Sequence, residues 1–246
     1  MRLVFLEKEN FEENLYYLSF EDSKHLFANR YKINDSILAV LGDKIGEFTI
    51  KKINKKIIYG SFNPKSLLEK PLYKLNLIIG LPKDRALNPI IEKSAEIGVN
   101  NIFIIPLEFS NRKDFSLKNI LRLNKILKEG CKQSGNPFIP EIYYLDKITQ
   151  IDNLTEIKDD FKILLDENCQ KKQDFFTLIN DNRVENFKKI SIFIGPEGGI
   201  SNNERTFLLN KGFNSVTVGK NILRTETAAI SSMFFWRLYQ SSIFKI

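Results

Sequence analysis

The sequence predicts an α/β protein in which a mainly parallel sheet is covered by helices on both faces, preceded by a small β-rich domain. Three observations predict it. From Leu72 onward, continuous apolar runs of strand length alternate with segments of helical spacing, the pattern of strands buried on both sides. Before that point the runs are short, β-branched or aromatic, and separated by turn residues. Between the two regimes stand Asn63-Pro64 and Lys70-Pro71, which break the chain. The boundary is therefore set between residues 70 and 71, giving domains of residues 1–70 and 71–246.

The elements follow in order. Ser36 to Leu41, Glu47 to Ile53 and Lys56 to Ser61 read as short strands, with Leu41-Gly42-Asp43 as a turn between two of them. That spacing suits a small barrel. Lys74 to Gly80 is a strand with a nearly unbroken apolar core, and Asn101 to Pro106 is another. Asn88 to Ile97 places Ile90, Ile91, Ala95 and Ile97 at helical spacing, and Leu117 to Gln133 is a second amphipathic helix. Strands at Phe161 to Asp166 and Ile190 to Gly195 come next, then a helix at Asn202 to Lys211. A short strand at Ser215 to Val218 leads into a last helix from Glu226 to Tyr239.

Composition narrows the function. The net charge of +7 over 246 residues favours a polyanionic partner, because a cationic surface concentrates phosphate-rich ligands. Cys131 and Cys169 form no CxxC pair, so neither a zinc site nor a disulfide framework is expected. The single histidine, His25, argues against a histidine metal site or a hydrolytic triad. No apolar run approaches the length of a membrane span, and Glu7 and Lys8 interrupt the first apolar run too soon for a signal peptide. A cytoplasmic location and no metal are the expectations.

In open parallel sheets, ligands bind beyond the carboxyl ends of the strands. Three such segments stand out: Leu165-Asp166-Glu167, Gly195-Pro196-Glu197-Gly198-Gly199, and Gly219 to Ala228. Three glycines in five residues let a backbone approach a ligand closely, although a tight strand-to-helix turn needs them as well. Ser201-Asn202-Asn203-Glu204 reads as a capping box that starts a helix directly afterwards. In the third segment, Thr225 or Thr227 suits an N-cap and Glu226 suits the positive end of a helix dipole. Arg224 does not, because its charge opposes that dipole. A cation placed there faces something anionic or electron-rich.

Gly195-Pro196-Glu197-Gly198-Gly199-Ile200-Ser201, followed by Ile222-Leu223-Arg224-Thr225-Glu226-Thr227-Ala228, resembles the signature of the knotted SPOUT methyltransferases. More narrowly, it is similar to the 16S ribosomal RNA uridine-N3 methyltransferase family, often called RsmE. Leu81 to Arg85, Glu92 to Val99, Gln133-Ser134-Gly135, Pro140-Glu141-Ile142 and Asp166-Glu167 also resemble family segments. Two departures are visible. Lys132 and Asn136 stand where the family usually has Glu and Arg, and the N-terminal His-x-x-x-Val-Leu-Arg motif appears only as His25 to Arg30.

The resemblance implies a SPOUT-type α/β knot with a C-terminal trefoil, preceded by a PUA-like β-barrel that contacts RNA. It implies S-adenosyl-L-methionine as cofactor and a uridine near the decoding centre of the small ribosomal subunit as target. The cofactor would lie among Leu165, Asp166, Glu167, Ile194, Gly195, Pro196, Gly198, Gly199, Val218, Gly219, Asn221, Ile222, Leu223, Thr227 and Ala228. Arg224 would stabilise the anion developing at uracil N3, with Glu197 or Glu226 accepting the proton or holding Arg224. Arg2, Arg30, Lys32, Lys83, Arg85 and Arg112 are the candidate phosphate contacts. The resemblance further implies a homodimer through the knot and the last helix, which offers Ile230, Met233, Phe234, Trp236, Leu238 and Tyr239; an ordinary core contact would use the same residues. Two other readings stay open: the same fold acting on a ribose 2′-hydroxyl or another base, and a non-catalytic RNA-binding assembly factor.

Overall fold

The computed structural model describes residues 2–158, 160–169, 174–179 and 187–244, and the chain divides into two compact units. The first comprises Met1–Lys70 with Lys128–Ile139, and the second Pro71–Leu127 with Pro140–Ile246. The segment from Lys128, which the sequence reading left in the second domain, thus groups with the first.

Unit one is a six-stranded sheet of order β1-β4-β5-β6-β3-β2. Its strands are β1 (Leu3–Leu6), β2 (Phe11–Glu12), β3 (Leu15–Tyr17), β4 (Ser36–Leu41), β5 (Lys44–Asn54) and β6 (Ile57–Leu67). Only the β1–β4 pair is parallel. The expected break at Asn63-Pro64 is not a break. β6 runs through it, because a register shift opposite Ile45 and Gly46 lets the ladder skip a residue beside Pro64, which is how a strand accommodates a residue lacking an N–H. Helix α1 (Phe20–Ala28) starts at Ser19, whose Oγ accepts from the Asp22 amide at 3.1 Å. Leu26 joins Val4, Leu18, Phe48, Ile50 and Ile58 in the core.

Lys132 is explained inside this unit. It is buried, and its ammonium donates to Asp22 at 2.5 Å and to Glu129 at 2.8 Å. Burial pulls its pKa down, but the hydrogen bonds it donates to these two carboxylates, with their charges, outweigh burial and the net shift is upward.

Unit two is built on a parallel sheet of order β12-β10-β11-β7-β8-β9. The strands are β7 (Lys74–Gly80), β8 (Asn101–Ile105), β9 (Glu141–Tyr144), β10 (Phe161–Leu165), β11 (Lys189–Ile194) and β12 (Asn214–Val216). Helices α2 (Asp84–Ile97), α3 (Leu117–Ser134), α4 (Phe175–Ile179), α5 (Asn202–Asn210) and α6 (Thr225–Phe244) complete it; α3 contributes to both units. One face buries Ile78, Phe103, Leu164 and Phe193 against Leu208 and Phe213. Helix α6 returns from the edge strand to pack on α2 and β11.

Two helix starts differ from the sequence reading. α2 begins at Asp84 rather than Asn88, with Pro89 inside its second turn. α6 begins at Thr225, and the cap position belongs to Arg224, whose carbonyl accepts from the Ala228 amide at 2.9 Å. Neither Thr225 nor Thr227 is the cap. Among the described residues no helix is long and apolar enough to cross a membrane, and no group of three or more metal-ligating side chains is found.

Candidate functional site

The carboxyl ends of β10, β11 and β12 open onto a cleft of about 410 Å³, which the first turn of α6 also lines. The spatial order explains this. The chain leaves β7 for β8 and β9, then crosses back to place β11 beside β7, and a crevice forms beyond the strand ends near such a reversal.

Leu165, Asp166 and Glu167 come from the end of β10; Ile194, Gly195, Pro196, Glu197 and Gly199 from that of β11. Thr217 to Glu226 and Ala228 follow β12, and Arg85 enters from α2. All the cofactor candidates named from sequence line this cleft except Gly198 and Thr227. Gly198 lies against the loop after β8, where a Cβ would stand 2.8 Å from the Phe109 carbonyl oxygen. Thr227 is exposed on the outer side of α6.

The glycine-rich loop is a turn closed by the Gly199 amide on the Pro196 carbonyl at 2.9 Å. Gly199 has φ +78°, and a Cβ there would sit 2.7 Å from the Glu167 carboxylate. The positive φ favours glycine, and any larger residue would also have to displace the Glu167 carboxylate. The turn passes into α5 through the capping box of Ser201 and Glu204. The same Glu204 carboxylate accepts from the Glu108 amide at 2.8 Å, tying in the loop after β8. Gly80, at the end of β7, gives Pro196 its room: a Cβ there would stand 2.5 Å from the proline ring.

The acidic side chains of the cleft are not equivalent. Asp166 is buried; its two oxygens accept from Arg205 Nε at 2.7 Å and Nη2 at 3.0 Å, and from Ser215 Oγ at 3.2 Å. The hydrogen bond to Asp166 raises the Arg205 pKa against the opposing effect of burial. Glu197 accepts from the Lys83 backbone amide at 3.1 Å, at the positive end of α2. Glu226 is half-buried on the first turn of α6, two residues beyond Arg224, whose side chain is exposed. The site therefore gathers Arg224, Glu197 and Glu226 on one cleft, with two of the three on a helix entrance.

The candidate RNA contacts divide. Arg85 is exposed on the cleft wall and Lys83 lies beside Glu197. Arg112 is committed to Asp84 at 2.7 Å, an aspartate it shares with Arg122. Arg2, Arg30 and Lys32 are exposed on unit one. The sequence reading missed Lys220, an exposed cation on the cleft, and Arg205 beneath it. On α6, Met233, Trp236 and Tyr239 are buried within the chain, whereas Phe234, Phe235 and Leu238 are exposed. The first three are thus core residues.

Comparison with known proteins agrees on one family. Residues 68–236 match the family model described as RNA methyltransferase domain. The chain is 30% identical to ribosomal RNA small subunit methyltransferase E 2 of Borreliella burgdorferi, covering 85% of each protein. It is 33% identical to ribosomal RNA small subunit methyltransferase E of Rickettsia conorii, over 86% of this chain and 84% of that one. Among solved structures, the ribosomal RNA small subunit methyltransferase E of Neisseria gonorrhoeae, bound to S-adenosyl methionine, superposes with a TM-score of 0.78. It shares 22% identity and covers 99% of this chain and 98% of its own, a likeness of fold.

Proposed function

Because the chain belongs to the RNA methyltransferase family of the ribosomal RNA small subunit methyltransferase E proteins, we propose that it methylates N3 of a uridine in small-subunit ribosomal RNA, with S-adenosylmethionine as donor. The observation that carries this reading is the convergence of three strand-end loops and the α6 entrance on one cleft, with Arg224 at its rim.

The residues present fit the cofactor. Leu165, Ile194, Val218, Ile222 and Leu223 offer apolar surface for an adenine ring, and Gly195 and Gly199 allow close backbone approach. Glu167, Glu197 and Glu226 supply negative charge toward a sulfonium and an ammonium. When bound, S-adenosylmethionine supplies a methyl group already activated for transfer, the carbon–sulfur bond breaking as the carbon–nitrogen bond forms. What the protein adds is position, a dry environment and management of the N3 proton. Arg224 stabilises the imide anion left when that proton departs, and Glu226 or Glu197 accepts it. The hydrogen bond from Lys83 to Glu197 supports a holding role for Glu197, which favours Glu226 as acceptor.

Arg85 and Lys83 are the phosphate contacts next to the site; Arg2, Arg30 and Lys32 are exposed cations of unit one, which we take as the PUA-like RNA-binding module. Membership of the family is what supports a C-terminal knot ahead of α6, the helix that packs on α2 and β11. Its exposed Phe234, Phe235 and Leu238 support a homodimer through that helix. The cofactor assignment is tested by calorimetric titration with S-adenosylmethionine. Saturable binding at one site per chain is expected, and absence of heat at any concentration would remove the donor from the account.

A further inference from the structure

We infer that Arg205 and Asp166 form a positioning pair that holds the walls of the proposed cofactor cleft at their working separation. This deepens the methyltransferase reading and rests on it. Neither residue resembles a catalytic group: Arg205 does not line the cleft, and the Asp166 carboxylate is turned into the protein, toward Arg205 and Ser215.

The geometry joins four pieces of chain. Asp166 is the first residue beyond β10 and is 3% exposed. Arg205 binds it through both Nε and Nη2, at 2.7 and 3.0 Å. The guanidinium also reaches the Ile200 carbonyl at 3.4 Å, where the glycine-rich turn ends, and Asn202 at 2.8 Å in the first turn of α5. From the other side, Ser215 of β12 donates to Asp166 at 3.2 Å. The next residue, Glu167, lies over Gly199, so the distance between these two walls follows from the pair beneath them. A cation so near the entrance of α5 opposes the helix dipole. The buried carboxylate offsets that cost, and the planar fork is what bridges a carboxylate and a carbonyl at once. Lysine presents its N–H groups from a single nitrogen and cannot match the two-nitrogen fork that holds both oxygens of the carboxylate.

The test compares wild type with Arg205→Gln, Arg205→Lys, Asp166→Asn and the Arg205→Gln/Asp166→Asn double variant, with Lys211→Gln at the far end of the same helix as control. The affinity for S-adenosylmethionine is measured by calorimetry, and amide hydrogen exchange is followed in the ligand-free proteins. Arg205→Gln is expected to weaken cofactor binding by about ten-fold, with the double variant no worse than either single, as coupled partners require. Arg205→Lys should recover the melting temperature but only part of the affinity. Exchange should quicken at residues 166–169 and 198–201 while the core strands stay protected, and Lys211→Gln should match wild type. Wild-type affinity and unchanged loop exchange in a folded Arg205→Gln or Arg205→Lys protein would overturn the proposal, as would additive losses. If wild type itself bound no S-adenosylmethionine, the methyltransferase reading would fail, yet the loop exchange would still decide whether the pair positions these segments.

Discussion

Arg224 was legible as an anomaly. Its charge opposes the dipole of the helix it introduces, and it proves to be the cap residue of α6, its carbonyl bonded to Ala228 and its side chain exposed at the cleft. If it meets the developing imide anion, Arg224→Ala should lower kcat by about 100- to 1,000-fold while cofactor affinity stays within two-fold or so. A single-turnover assay with a parallel binding titration measures both. Equal losses in the two would instead mark Arg224 as a cofactor ligand. The same dipole argument applies to Arg205, which stands in the first turns of α5 after the Ser201 cap, but the capping box beside it accounts for the segment and masks the misfit. Gly80 was beyond reach for another reason: its need for glycine comes from Pro196, which only the sheet brings within contact. Sequence shows a local misfit; it does not show a distant neighbour.

At the scale of elements, apolar runs located the buried strands well, since β7, β8, β10 and β11 are buried along most of their length and their few polar residues do not break the apolar run. Short or half-exposed elements escaped: β9 is only half-buried, and α1 is nine residues inside a strand-rich stretch. A buried polar network lies among the strands of unit two. Asp160 accepts from Asn76 at 2.8 Å and from Ser191 at 2.5 Å. Burial raises its pKa, and the hydrogen bonds from Ser191 and Asn76 only partly oppose that. An acid whose folded pKa is raised binds its proton more tightly in the native state. Its favourable contribution is thus fullest below the unfolded pKa and is lost as pH rises through the folded one. Asp160→Asn should therefore gain stability relative to wild type as pH rises from the ordinary carboxylate range toward neutrality. Denaturant titrations at several pH values test this, and a constant difference between the two proteins would show that Asp160 ionises normally.

At the scale of the whole molecule, the change in composition near Pro71 coincides with the division into units, but the membership of Lys128–Ile139 in unit one had no signal. α3 is one continuous amphipathic helix in the sequence, and periodicity does not tell which unit each turn serves. The net charge of +7 acquires meaning when cations are placed: Arg85 and Lys220 are exposed on the cleft itself. If they contact phosphates, Arg85→Gln and Lys220→Gln should each weaken RNA binding across sequences and flatten the slope of log affinity against log salt by about 0.7–0.9. An unchanged slope would return them to ordinary solvated surface. The reaction itself is read by incubating the protein with unmethylated small ribosomal subunits and S-adenosylmethionine labelled in its methyl group, digesting the RNA, and identifying the labelled nucleoside by mass. Label recovered as N3-methyluridine at a single position is the predicted result. Label on a ribose 2′-hydroxyl or another base, or no label from a protein that binds the cofactor, would contradict it.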